Sequence, residues 1–178
     1  MKTPAHVSRC TVLFRVTALI FIMTISAGAQ VVLWDGGGAA DMRWSTAANW
    51  NPDTANVNNM SLAFTNDGAA GVTGVVNNIV DADFMVNSLV YDQVNLYHTT
   101  QINSGKTLTV NGPFSSGMLP GGPGIGNFAT NIVTIKGDTT GAGTLIINAG
   151  ANNIVMGPSD AAYDNGRRAN TVDLQNLG

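Results

Sequence analysis

Thr107-Leu108-Thr109-Val110-Asn111-Gly112 and, 37 residues further on, Thr144-Leu145-Ile146-Ile147-Asn148-Ala149-Gly150 are two imperfect copies of one unit. Each is a short apolar run interleaved with Thr or aliphatic residues and closed by Asn and a small residue. Such runs read as strands that bury one face. A weaker copy, Thr73-Gly74-Val75-Val76-Asn77-Asn78, begins 34 residues before the first. Spacings of this size belong to stacked repeat units, none of which can bury its apolar side alone. Asn and Gly suit the corners, since both tolerate left-handed backbone and Asn can bond its own turn. The unit therefore predicts an all-β fold, a solenoid of stacked strands. The alternative is a β-sandwich whose hairpins share turn chemistry.

The same texture extends outward. Met60-Ser61-Leu62-Ala63-Phe64, Val94-Asn95-Leu96, Ile132-Val133-Thr134-Ile135 and Val172-Asp173-Leu174 are further strand-like runs. Helix signals are weak, because Glu is absent, Lys is scarce, and Gly and Asn recur at intervals that cost helix stability. Two stretches break the rhythm. Gly112 to Gly126, with Pro113, Pro120 and Pro123, reads as a loop, and so does Gly157 to Arg168, which carries Tyr163, Arg167 and Arg168. The sequence stops at Gly178 directly after a strand-like run. A solenoid normally closes with a polar cap, so the expectation is a partial repeat region or an open end awaiting a partner.

The start of the chain sets the expected compartment. Lys2, Arg9 and Arg15 precede the apolar run Val16 to Ile25, and Ala27 and Ala29 follow it. That is the pattern of a secretory signal peptide cleaved after Ala29. A membrane anchor would need about 20 apolar residues. Cys10, the chain's one cysteine, lies ahead of the run, so the exported product has no disulfide framework and no thiolate metal site. From Gln30 onward five basic residues face eleven acidic ones, a formal charge of −6, and every acidic residue is Asp. So few Lys and Arg side chains argue against nucleic acid as a partner. No later segment is apolar enough to span a bilayer as a helix. The expected organisation is a signal peptide at 1–29, a Trp-rich N-terminal cap at 30–60 and a β-strand repeat region at 61–178.

All three tryptophans fall between Trp34 and Trp50, in Trp34-Asp35-Gly36-Gly37-Gly38 and Trp44-Ser45-Thr46-Ala47-Ala48-Asn49-Trp50. Indole rings bury large areas and usually bond their polar tip. One expectation is a cap sealing the first edge of the stack. The other is a sugar-binding platform of Trp34, Trp44 and Trp50, with Asp35, Asp41 and Asn49 as hydrogen-bonding partners. This tryptophan segment after a signal peptide, followed by Val86-Asn87-Ser88-Leu89 and Gly105-Lys106-Thr107-Leu108-Thr109-Val110-Asn111-Gly112, resembles the start of secreted bacterial proteins with autotransporter-associated β-strand repeats. The resemblance implies a right-handed parallel β-helix, export, and a passenger or adhesin-like role at or beyond the cell surface. Members are usually much longer, and the outer-membrane barrel of a true autotransporter is not in this sequence.

Past Ala29 the chain offers one His, His98, and neither Glu nor Cys. That excludes His-metal clusters, Cys-His dyads and glutamate acid/base pairs. No nucleophile-elbow pattern surrounds His98, which reads as a strand-end surface residue. Gly36-Gly37-Gly38 lacks the Gly-Lys-Ser/Thr of a phosphate loop. Asp81 and Asp83 share a strand face and, with Arg167 or Arg168, are the minimum kit for Ca²⁺-dependent lyase chemistry. The stronger reading is a pair of solvated turn Asp residues, since Asp is the only acidic residue in use and a nearby pair is expected by chance. The expectation is an exported, non-catalytic β-repeat scaffold, without cofactor, metal or catalytic residues, whose partners are extracellular polysaccharide or other surface proteins. The alternative is a carbohydrate-binding module.

Overall fold

The structure is a computed structural model, described here for residues 30–116, 130–151, 154–156 and 169–178. The proposed signal peptide, Tyr163, Arg167, Arg168 and most of both Gly/Pro-rich loops lie outside the described residues. The rest is all-β, with one short 3-10 turn at Ala47–Asn49. A first sheet holds β1 (Val31–Trp34), β2 (Trp50–Asn51), β3 (Ser61–Phe64), β6 (Ser88–Tyr91), β9 (Phe114–Ser116) and β12 (Ile154–Met156). A second holds β4 (Asn78–Val80), β7 (Tyr97–Ile102), β10 (Thr130–Gly137) and β13 (Ala169–Gln175). The third holds β5 (Phe84–Val86), β8 (Thr107–Val110) and β11 (Thr144–Ile147).

From β3 onward the chain visits the three sheets in rotation, and from β6 onward every strand pairs in parallel with the strand three places earlier. The registers match side chain to side chain. Leu62, Leu89, Phe114 and Ile154 form one column, His98, Val133 and Val172 a second, and Phe84, Leu108 and Leu145 a third. Among the described strands only β1 and β2 pair antiparallel, so the face-packed antiparallel sheets of a sandwich are not what the chain forms. The tryptophan segment supplies a lower tier. β1 lies under β3, Arg43 bridges Ile79 of β4, and the Asn59 amide donates to the Met85 carbonyl of β5 at 2.7 Å.

Period two explains the columns. In β8, Leu108 and Val110 are fully buried while Thr107 and Thr109 are not, and β5 and β6 alternate alike. Each fully buried aliphatic side chain contributes about 1.5–3 kcal/mol. The asparagine that closes each repeat ties one tier to the next. Asn87, Asn111 and Asn148 follow the strands of the third sheet, and their amides donate to Met60, Val86 and Val110 carbonyls at 2.7–2.8 Å. Asn148 Nδ2 also donates to Asn111 Oδ1 at 3.0 Å.

Three expectations need correction. The tier below Thr107–Asn111 is Asp83–Asn87, 24 residues earlier, and Thr73–Val76 lies in a turn. The 37-residue spacing is a tier enlarged by the insertion that precedes β10. Val94-Asn95-Leu96 is a corner with Asn95 at φ 55°, and the strand begins at Tyr97. Phe114–Ser116, inside the stretch read as loop, is β9, with Phe114 in the core. Connections also differ by corner. Passages from the third sheet to the first and from the second to the third run from one to six residues, whereas from the first sheet to the second 65–77, 117–129 and 157–168 are longer and 92–96 is short.

Candidate functional site

The residues singled out as a sugar platform converge, but inward. Trp34, Trp44 and Trp50 are all fully buried. A stacking platform needs open ring faces, so the platform expectation is corrected: these indoles are core. Their rings meet edge to face, Trp34 with Trp50 at 5.0 Å and Trp44 with Trp50 at 5.5 Å between centroids. Phe64 sits among them, 5.8–5.9 Å from each, and stacks on Tyr91 of the next tier at 4.8 Å. Edge-to-face and offset pairs of this kind add attraction beyond their buried area.

The proposed polar partners of a sugar are consumed by the loop itself. Asp35 accepts from the Gly37 amide. Asn49 accepts from the Gly38 amide and donates to the Asp41 and Arg43 carbonyls. Asp41 accepts from the Thr46 hydroxyl and the Arg43 amide, and the Thr46 bond foremost holds its carboxyl below the usual range. Two clefts adjoin this loop, one of about 130 Å³ lined by Trp34, Gly36, Asp41, Asn49, Gly68 and Asn77, and a more open one of about 440 Å³ lined by Ala40, Asp41, Met42, Arg43 and Ile79. Trp34 Nε1 has no hydrogen-bond partner and is covered by Gly68, where a Cβ would stand 2.7 Å from that nitrogen.

Asp81 and Asp83 do not converge on one point. Asp81 accepts from the Ser45 amide and hydroxyl in the tier below, and Asp83 accepts from the Thr107 amide in the tier above. They are ties between tiers. Among the described residues no group of three or more His, Cys or Asp side chains is placed to hold a metal ion.

His98 is the larger surprise. It is the second residue of β7, near the strand end as expected, but fully buried and not on the surface. Its ring packs edge-on to Phe64 at 5.1 Å. Nε2 lies 2.7 Å from the Thr65 carbonyl, which only accepts, so Nε2 carries the proton. Nδ1 then accepts from Asn77 Nδ2 at 3.3 Å. Burial pushes the imidazole down from its ordinary 6.5 to about 4, with the Thr65 bond opposing. The ring is therefore neutral near pH 7, with both nitrogens engaged inside the fold.

Sequence reasoning missed the polar chain behind this ring. Trp44 Nε1 donates to Asn78 Oδ1 at 3.1 Å, and Asn78 Nδ2 donates to Asn77 Oδ1 at 3.1 Å. Asn77 Oδ1 also accepts from the Thr99 amide at 2.9 Å. One tier up, the Tyr91 and Thr100 hydroxyls share a bond of 2.6 Å. The available signal was the alternation His98, Thr100, Ile102, which puts His98 on the face that carries Ile102. Comparison with models of protein families, with curated proteins and with solved structures gave no match.

Proposed function

We propose that the chain is an exported, non-catalytic β-repeat scaffold, a right-handed parallel β-helix displayed at or beyond the cell surface in the manner of an adhesin-like passenger. The observation that carries this reading is the unbroken rotation of the strands through three parallel sheets in fixed register, with interior columns filled by side chains. Parallel crossovers are right-handed in nearly all known cases, which gives the hand. In such a stack the side chains that point inward are spent on packing, and what remains for partners is the outer face of each sheet and the corners. The tryptophan segment serves as the lower cap, with β2 pairing antiparallel against β1. Extracellular polysaccharide or other surface proteins are the partners that such extended faces suit.

Export and display are tested together. Cells producing the full chain are fractionated, treated with an external protease, and the released or protected product is sequenced from its N-terminus. The expected product begins at Gln30 and is accessible from outside. An intact Met1 product confined to the cell interior, or turnover of any glycan by the purified protein, overturns the reading.

A further inference from the structure

The buried polar groups form a chain with one direction. Trp44 donates to Asn78, Asn78 to Asn77, Asn77 to His98, and His98 to the Thr65 carbonyl. Neither amide can turn over to reverse it. Asn77 Oδ1 is held by the Thr99 amide as well as by Asn78, and the two hydrogens of Asn77 Nδ2 serve three acceptors, the Gly68 and Tyr97 carbonyls, each at 3.0 Å, and, as the longer shared bond, His98 Nδ1 at 3.3 Å. The chain links four segments. It joins the tryptophan loop to the residues leading into β4, those to β7, and β7 to the end of β3.

We propose that this chain is an acid-sensitive latch, in which protonation of His98 releases the tryptophan tier and the 65–70 turn from the rest of the stack. The added proton has one place to go. Nε2 is already protonated against the Thr65 carbonyl, so Nδ1 receives it and two donors, Nδ1–H and Asn77 Nδ2–H, then face each other across 3.3 Å. Relief requires Asn77 to withdraw. It then surrenders its bonds to Gly68 and Tyr97, which hold the turn that covers Trp34.

The groups packed around the ring leave the new charge uncompensated. Phe64 and Thr65 come from β3 and its end, Asn77 and Asn78 from β4 and its lead-in, Tyr91 from β6, and Val133 from β10. Of these Tyr91 alone ionises, and burial keeps it neutral by raising its pKa. Asp67 and Asp92 stand on the neighbouring corners, and no charge contributes to the shift at His98. The isolated proton is therefore destabilising, and its uptake is coupled to opening. The unfolded or opened state binds a proton below about pH 6.5, the folded state only near 4, so the latch weakens as pH falls through that interval.

All three tryptophans lie in the tier concerned, so their emission reports the event directly. The full chain is titrated from pH 7.5 to 3.5 by tryptophan fluorescence, alongside His98→Gln, which offers a neutral donor and acceptor. The expected result is a red shift in the wild type between pH 6 and 4 that is absent in His98→Gln. Hydrogen exchange, corrected for intrinsic rate, is read on the wild type at pH 7 and 4.5, and covers the case where the variant does not fold. Exchange is expected to rise at least tenfold at 65–70 and 77–78 while 107–110 stays protected. Coincident acid transitions in both proteins, or uniform exchange across the stack, would overturn the latch.

Discussion

Trp44 and Leu174 lie toward opposite ends of the run of parallel-paired strands, Trp44 ahead of β3 and Leu174 in β13. Trp44 is fully buried beneath Phe64 and Phe84, whereas Leu174, in register with the fully buried Ile135, is 55% exposed. Ile154 is 56% exposed although its column partner Phe114 is in the core. Burial here is a property of the tier above or below and not of the residue type. At one end large aromatic rings and an antiparallel strand close the interior. At the other, among the described residues, aliphatic side chains lie on the last tier with no strand over them. The contrast predicts a gradient of stability along the stack, steep at the tryptophans and shallow at β13.

The sharpest way to break that contrast is Trp44→Ala. It removes a ring packed against Phe64, Phe84 and Trp50 and orphans Asn78, and its expected cost is about 3–5 kcal/mol by urea unfolding. A loss below 1 kcal/mol would refute the aromatic seal. Next comes acid. His98 is neutral when folded, so its contribution is complete above pH 6.5 and lost as pH falls towards 4, a decrease of roughly 3 kcal/mol in unfolding free energy. The lowered carboxyls of Asp41 and Asp138 act only below the ordinary carboxylate range, so the two windows separate in a pH series of denaturation curves.

Within one column, Leu108→Ala should cost about 2–4 kcal/mol and Leu145→Ala clearly less, because Leu145 is only partly buried. Equal midpoint shifts for the two would erase the gradient. Gly68→Ala should cost about 2 kcal/mol, since φ is +66° there and the new methyl meets the Trp34 ring at 2.7 Å. A thermal melt checks it against Gly105→Ala, where φ is +69° but the space is open, for which about 1 kcal/mol is expected. Leu174→Ala closes the series at under about 0.5 kcal/mol, the value ordinary for an exposed site.

How much of this could be read from the sequence depended on whether a strand carried its own alternation. Thr107–Val110 and Thr144–Ile147 did, and so did Ser61–Phe64 and the centre of β10, because each places aliphatic residues on one side of a short run bounded by Asn or Gly. β7 did not. Its inward face is His98, Thr100 and Ile102, and two polar residues on a core face hide the period until Tyr91 and Asn77 are seen to satisfy them. β4 and β5 were overlooked because three-residue strands hold too few side chains to show a pattern. The spacing misled for a related reason. Register partners lie 24 residues apart at Phe84 and Leu108 but 37 apart at Leu108 and Leu145, so a fixed period cannot be read where one corner absorbs variable length. The tryptophans were legible as a cluster and illegible as to direction, since a run of indoles and glycines is equally consistent with a surface groove and a sealed core.

The unequal corners have a practical consequence. Length added between the first and second sheets leaves every register upstream and downstream unchanged, because the strands on either side are indexed by their neighbours across the ladder and not by the distance travelled along the chain. That edge, which carries the three longest links, is where a foreign peptide can be spliced in as cargo, while the other two edges, with links of one to six residues, act as a spine.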